Sequence, residues 1–406
     1  MKRLRLLGAM AVCLGLAAAT AGAQGQFALR YVQAQEGDPV VGMNMVYAGP
    51  QSSQPPQIKA LPKGLSPGAK FFMVPLGPRA YVGAHVAAVL DQGASPATLY
   101  VDAAGTGDLS AAAPLPAEGS DGSLTFGPVA VATGREKGAG TVKIRFRSPG
   151  SAEYMGALPA GYMAGEVKLG GETYSFAVVD SDSDGRYTPL SSLSVAGASY
   201  WRADMMAIDL DRNEHFRRAP TDTEVMPLSK VLRAKDAYYR VQVAEDGSWV
   251  RLEDFEPKMG AIDVGASNLT LVLLSDMGLT TLRGSGGKWQ LPEGTYRLAS
   301  ISLSQADAKG VKWMTTSPDV DKIEPFRLRA GETLAMKIGP PLTPAAKPDS
   351  AQSGQILINL FLVGQAGEWY SVGGLQKADG VRLPPPKVKV LDESGKVLAE
   401  GNSEYG

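Results

Sequence analysis

Apolar residues in this chain recur with a period of two, in short runs cut off by Gly, Pro, Asp and Asn. Successive side chains of a strand point to opposite faces, so this period predicts half-buried strands and leaves little room for amphipathic helices. In Thr141–Arg147, Val142, Ile144 and Phe146 share one face and the basic residues share the other. Tyr238–Val243 is a second such run. Turn signals join the runs. Glu245-Asp246-Gly247-Ser248 links Arg240–Val243 to Trp249–Leu252, and Glu393-Ser394-Gly395-Lys396 links Lys387–Leu391 to Val397–Glu400. The 48 Gly and 28 Pro of 406 residues supply such turns in number. The expected fold is mainly β. Two short stretches compete with it. Pro227–Lys235 is a helical candidate, and Tyr81–Leu90 places Val82, Val86 and Val89 on a helix face while their β-branching argues for strand.

Residues 1–23 have the form of a secretory signal peptide: Lys2, Arg3 and Arg5, an apolar stretch Leu6–Leu16, then Ala21-Gly22-Ala23. Cleavage there predicts a mature chain starting at Gln24. That chain has 383 residues, a formal charge of −4 and no cysteine, since Cys13 lies in the leader. An exported chain of this kind has no disulfides and rests on core size and metal. No later segment has the 18 consecutive apolar residues of a membrane span. The charge balance gives no reason to expect nucleic acid as partner.

Linker-like composition marks Ala48–Lys70, Ala111–Gly122 and Pro340–Ser353. The last either separates domains or joins two strands of one sandwich; the second fits better, because the 52 residues after it are marginal for folding alone. A boundary is expected near Pro257-Lys258-Met259-Gly260, where one strand-like run ends before the next, Leu269–Leu274, begins. The organisation expected is a leader (1–23), a β-rich domain (24–259) and a β-sandwich (260–406).

An internal repeat carries the chemistry. Three apolar runs end in Asp and continue into an acidic loop of one frame. The loops are Asp102–Leu109, Asp180–Tyr187 and Asp209–Phe216, each with Leu, Tyr or Phe at position 8. The second has the full D-x-D-x-D-G pattern. Oxygens at positions 1, 3 and 5 converge when the chain turns at position 6, and position 7 adds a backbone carbonyl. The candidate ligands are Asp180, Asp182, Asp184 and the carbonyl of Arg186. The third loop keeps Asp209, Asp211 and Asn213 but has Glu214 in place of Gly. The first keeps only Asp102, with Ala104 and Thr106 at the other positions, and no ion is expected there. Hard oxygen ligands of this kind suit Ca²⁺. The competing explanation is that Asp-rich turns simply close hairpins.

These loops resemble EF-hand-type calcium loops. The resemblance ends there: position 12 holds Ser191 or Pro220 in place of a carboxylate, and strands precede the loops. Asp204 and Glu224 are close enough in sequence to add a ligand. With the approach Gly171-Glu172-Thr173-Tyr174 and the ending Val390–Gly401, the chain is similar to uncharacterised secreted bacterial proteins built from repeated β units, a resemblance that implies no activity.

Trp289–Leu298, with its Pro292-Glu293-Gly294 turn, is similar to the turn of transthyretin-like and collagen-adhesin-type B modules, and Phe326–Ile338 repeats the logic. The resemblance implies an immunoglobulin-like or transthyretin-like sandwich with Tyr296 and Leu298 inward and Arg297 exposed. It implies no isopeptide bond, because Ser300 stands where the family's Glu is needed.

Enzyme constellations are sparse. His85 and His215 are the only histidines, no G-x-S-x-G elbow occurs, and Gly284–Lys288 runs into a strand where a phosphate loop needs a helix. Trp201, Trp249, Trp289, Trp313 and Trp369 would stack on sugars if exposed, although strand tryptophans usually fill cores. The function expected is that of an exported, non-catalytic protein of the periplasm or cell surface. It would be a binding or structural module with a calcium-stabilised loop and a cell-envelope or polysaccharide partner. The alternative is a secreted carbohydrate-active hydrolase or carbohydrate-binding protein, which would need two carboxylates and an exposed Trp in one cleft.

Overall fold

The structure is a computed structural model that describes residues 24–35, 38, 40–41, 47–76, 85–120, 122–132, 139–149, 152–190, 203–216, 218–219, 222–265, 268–284, 287–317, 320, 323–348, 358–377 and 379–402. The leader assigned to 1–23 lies outside them, as do Ser191, Trp201 and Pro220. All regular elements among the described residues are strands, paired antiparallel with one parallel exception, Met259–Asp263 beside Thr333–Ala335. The mainly β expectation is met.

Burial follows the period-two pattern. Val142, Ile144 and Phe146 are buried within Ala139–Arg147, and Tyr239 and Val241 are buried between exposed or half-buried neighbours in Ala237–Val243. Alternation of this kind gives each sheet one apolar face, which must be covered by a second sheet.

Among the described residues, three such pairs of sheets form. In the first, the sheet Gln24–Ala28, Trp249–Phe255, Ala237–Val243, Val231–Ala234 faces the sheet Val225–Pro227, Met205–Ile208, Glu172–Val179, Gly161–Leu169, Arg30–Gln33. Phe176, Val178, Ile208, Leu232, Val241 and Leu252 meet between them. In the second, five strands centred on Ala139–Arg147 face four centred on His85–Asp91, over Phe72, Leu90, Phe126, Ile144 and Phe146. Phe72 and Phe146 meet edge-on with centroids 6.1 Å apart. The third lies in the C-terminal part and packs Ile262 and Leu291 against Leu271, Tyr296, Leu298 and Leu328.

The second sandwich is nested inside the first. The chain leaves the first after Arg30–Gln33, builds the second from Tyr47 to Pro159, and returns as Gly161–Leu169. Ala160 is the crossing point: its N–H donates to Thr141 O in the inserted sandwich (2.9 Å), and its carbonyl accepts Ala34 N–H in the enclosing one (2.9 Å). The next residue is glycine for a steric reason. A Cβ on Gly161 would overlap the backbone oxygen of Val32 and the ring of Tyr31.

Both hairpins expected at 245–248 and 393–396 are present. The helix and linker expectations need correction, and others are made more definite. Pro227–Lys235 is not a helix: Val231–Ala234 is a strand, with Leu232 and Ala234 buried and Arg233 out, which is period two read over too short a window. Within Tyr81–Leu90, residues 81–84 lie outside the described residues and His85–Asp91 is a strand, as its β-branching argues. Pro340–Ser353 contains the strand Thr343–Pro348, at a sheet edge where prolines are tolerated because one side of the ladder needs no N–H. Near the expected boundary, Met259–Asp263 is itself a strand that precedes Leu269–Ser275. Tyr296 and Leu298 are each 1% exposed as expected, whereas Arg297 is half-buried and engaged with a neighbour.

Candidate metal-binding loops

The three acidic loops share one hydrogen-bonded framework. The position 1 carboxylate accepts the N–H groups of positions 5 and 6. These are Thr106 and Gly107 on Asp102, Asp184 and Gly185 on Asp180, and Asn213 and Glu214 on Asp209, at 2.7 to 3.0 Å. The position 7 N–H then donates to the side-chain oxygen of position 5: Asp108 to Thr106, Arg186 to Asp184, His215 to Asn213. Positions 4 and 6 have positive φ in all three loops: Gly105 and Gly107, Ser183 and Gly185, Arg212 and Glu214. Glycine adopts that conformation freely; Glu214 at φ 67° adopts it at a cost, so Glu at position 6 strains the third loop without reshaping it. The position 8 side chains pack on cores: Leu109 fully buried, Tyr187 and Phe216 half-buried.

Within this frame the side chains differ. In the second loop Asp180, Asp182 and Asp184 each bring one carboxylate oxygen within 4.8 Å of the others, an arrangement that can hold a metal ion. Burial pushes the Asp180 carboxyl up to about 6, opposed by the Gly185 N–H and reinforced by the Asp184 charge. Burial, then the charges of Asp184 and Asp180, push Asp182 up to about 8. Asp204, just before the strand Met205–Ile208 and 3% exposed, accepts Ser181 N–H (3.0 Å) and Thr188 N–H (2.7 Å). Burial, followed by the charges of Asp180 and Asp182, raises it well above the carboxylate range. The side chain of Arg186 turns away to Glu245 (2.6 Å).

In the third loop the group is Asp209, Asp211 and Glu224, again within 4.8 Å. Glu224 comes from the residue before the strand Val225–Pro227 and is 4% exposed; its Oε1 accepts Leu210 N–H (2.9 Å). Asn213, assigned as a ligand from the pattern, donates its amide N–H to Asp211 Oδ2 (3.1 Å), and its Oδ1 accepts His215 N–H. Glu224 is the carboxylate that completes this group. Position along the chain shows only that Glu224 lies nearby; strand pairing of Ala207 with Val225 brings it to the loop.

The two loops stand at opposite ends of the enclosing sandwich, because Glu172–Val179 and Met205–Ile208 run antiparallel and each loop follows its own strand. The second loop reaches a hairpin turn of the facing sheet directly, and the third is linked to one through Glu172. Tyr187 N–H donates to Glu245 O (3.0 Å), and the Tyr187 ring lies where a Cβ on Gly247 would be. At the other end Arg212 lies 3.5 Å from Glu172, whose second oxygen takes Lys235 Nζ (3.2 Å), with Lys235 also 5.3 Å from the Tyr174 ring centroid.

The four described tryptophans are half-buried and engaged. Trp289 donates to Arg283 O, Trp313 donates to Asp307, Trp369 stacks on Phe361, and Trp249 lies under Arg251. Comparison of the chain with known protein families, with curated proteins and with solved structures finds no significant match.

Proposed function

We propose that this chain is an exported, non-catalytic protein of the periplasm or cell surface, a β-scaffold module in which Ca²⁺ orders the loop Asp180–Tyr187 and, more weakly, Asp209–Phe216. The observation that supports the metal is internal to the chain. The loop Asp102–Leu109 adopts the same backbone with an acid at position 1 but none at positions 3 and 5. The turn therefore requires its first Asp and a side-chain oxygen at position 5, which the Thr106 hydroxyl supplies as well as a carboxylate. Asp182 and Asp184 add like charge that the turn does not need, at about 4 kcal/mol per pair at 4 Å and an effective dielectric of about 20. A bound cation turns that cost into ligation, and all-oxygen donors match Ca²⁺ better than Mg²⁺, which demands a tighter octahedral shell.

The leader-like 1–23 supports export. N-terminal sequencing of the exported protein should begin at or within a few residues of Gln24. For the metal, the test is thermal unfolding and native mass spectrometry of the 24–406 chain in excess Ca²⁺, excess Mg²⁺ and chelator. A ligand at about 100 times its Kd adds roughly 2.7 kcal/mol, so the Tm should rise with Ca²⁺ and fall with chelator. Identical melting curves and no bound metal would leave Asp180–Tyr187 an ordinary acidic turn.

A further inference from the structure

A cavity of about 180 Å³ lies where the enclosing sandwich meets the C-terminal one. Its walls come from two hairpins of different sandwiches, Val231–Ala234 with Ala237–Val243 and Leu269–Ser275 with Gly278–Gly284. The hairpins are pinned together beside it: Val231 N–H donates to Met277 O (3.1 Å) and Leu279 N–H to Ser229 Oγ (3.3 Å). The cavity is thus held open by hydrogen bonds from both sides. Junctions between folded units are preferred places for small-molecule sites.

Its lining combines apolar side chains, the hydroxyl residues Ser275, Thr280 and Thr281, and a single charge. Met226, Met277, Leu279 and Tyr296 supply its apolar part. Arg233 is the one charged residue that lines it, and no carboxylate does. Arg233 is exposed on its strand, its guanidinium is 5.8 Å from the Tyr238 ring centroid, and among the described residues no acid forms an ion pair with it. The volume suits one ring, since an apolar cavity of about 150 Å³ accepts benzene. We infer that this junction binds a small monoanion with an apolar body of about one aromatic ring, its carboxylate on Arg233 and its body among the methionine and leucine side chains. Arginine is suited to that role because it presents a fork of donors to a carboxylate and stays charged at all working pH.

The test uses the 24–406 chain with ¹³C-methyl methionine and benzoate as probe. Met226 and Met277 methyl signals should shift saturably with benzoate, with an affinity in about the millimolar range for so few atoms. Benzamide, of the same shape but neutral, should bind roughly tenfold more weakly, and Arg233→Gln should lose a similar factor for benzoate alone. Arg233 is exposed, so this variant keeps the fold; unchanged methyl spectra without ligand would show it. A second variant, Thr280→Phe, narrows the lining and should weaken benzoate and benzamide together. The inference is overturned if neither methyl responds to benzoate, if benzoate and benzamide bind alike, or if Arg233→Gln leaves benzoate binding unchanged.

Discussion

Asp102 and Asp180 hold their loops with the same two hydrogen bonds, from the N–H groups four and five residues downstream, at 3.0 and 2.7 Å in both. One is surrounded by Ala104 and Thr106 and the other by two further carboxylates, so the pair separates what the turn needs from what an ion needs.

That separation gives opposite signs for two alanine variants. Asp102→Ala strands two N–H groups and should cost about 1–3 kcal/mol with or without Ca²⁺. Asp182→Ala relieves repulsion, so in chelator it should stay within about 0.5 kcal/mol of wild type or gain stability, while losing most of the Ca²⁺ response. Denaturant midpoints in Ca²⁺ and in chelator read both. A calcium-dependent cost for Asp102→Ala would contradict the assignment of its loop.

The crossing between sandwiches is sensitive to one methyl group. Gly161→Ala places a Cβ against the backbone of Val32 and the Tyr31 ring, and should cost about 1–3 kcal/mol as an overpacked site. Gly68→Ala, where a Cβ meets nothing within 4 Å and φ is not positive, serves as the control without a clash. Equal costs would remove the steric argument.

In the C-terminal sandwich, Leu298→Ala should cost about 2–5 kcal/mol, since the side chain is 1% exposed in the core. Arg297→Ala should cost less than half of that, because the side chain is half-buried with part of its length in water. Urea unfolding of both variants makes the comparison, and a reversed order would show the strand to be out of register.

Asp91 sets an acid-side dependence. It accepts the Ser66 hydroxyl, Ser66 N–H (3.0 Å) and Gly93 N–H (3.0 Å), and the hydroxyl bond, more than the others, holds its carboxyl below the usual range. A carboxyl lowered in the folded state contributes stability that is full above its unfolded pKa, near 3.9, and is lost as pH falls through the folded value. Asp91→Asn should therefore be less stable than wild type at a pH of about 5.5, with the gap narrowing as pH falls below about 3.9. A gap independent of pH would mean that the charge contributes nothing.

The features legible in the sequence are those set by neighbours along the chain. Period-two burial located Ala139–Arg147 and Ala237–Val243, turn dipeptides located both hairpins, and the Asp frame located three loops of one geometry. What was missed depends on partners far away in sequence. Val231–Ala234 is four residues long, too short for period two to outweigh helical spacing, and is fixed by pairing with Ala237–Val243. Thr343–Pro348 has linker composition and becomes a strand because Ile358–Val363 lies beside it. Glu224 belongs to the third loop through the pairing of two other strands. Alternation identifies a strand but does not name its neighbour, so the nesting of one sandwich in another leaves no local signature.

The nesting also imposes an order on assembly. Gln24 pairs with Glu253, so the enclosing sandwich has no closed first sheet until the chain through Phe255 is present. The inserted sandwich is complete at Pro159 and brings Tyr47 opposite Gly156. Its prior folding shortens the free loop between Gln24 and Glu253 by roughly half, which lowers the entropy of closure by about 0.6 kcal/mol. The last ladder to form is then the one joining the first strand to residues more than two hundred positions later, and contacts of such long range slow folding. The inserted unit thus acts as an internal template, and mutations that delay it should slow closure of the sandwich around it more than they weaken the finished protein.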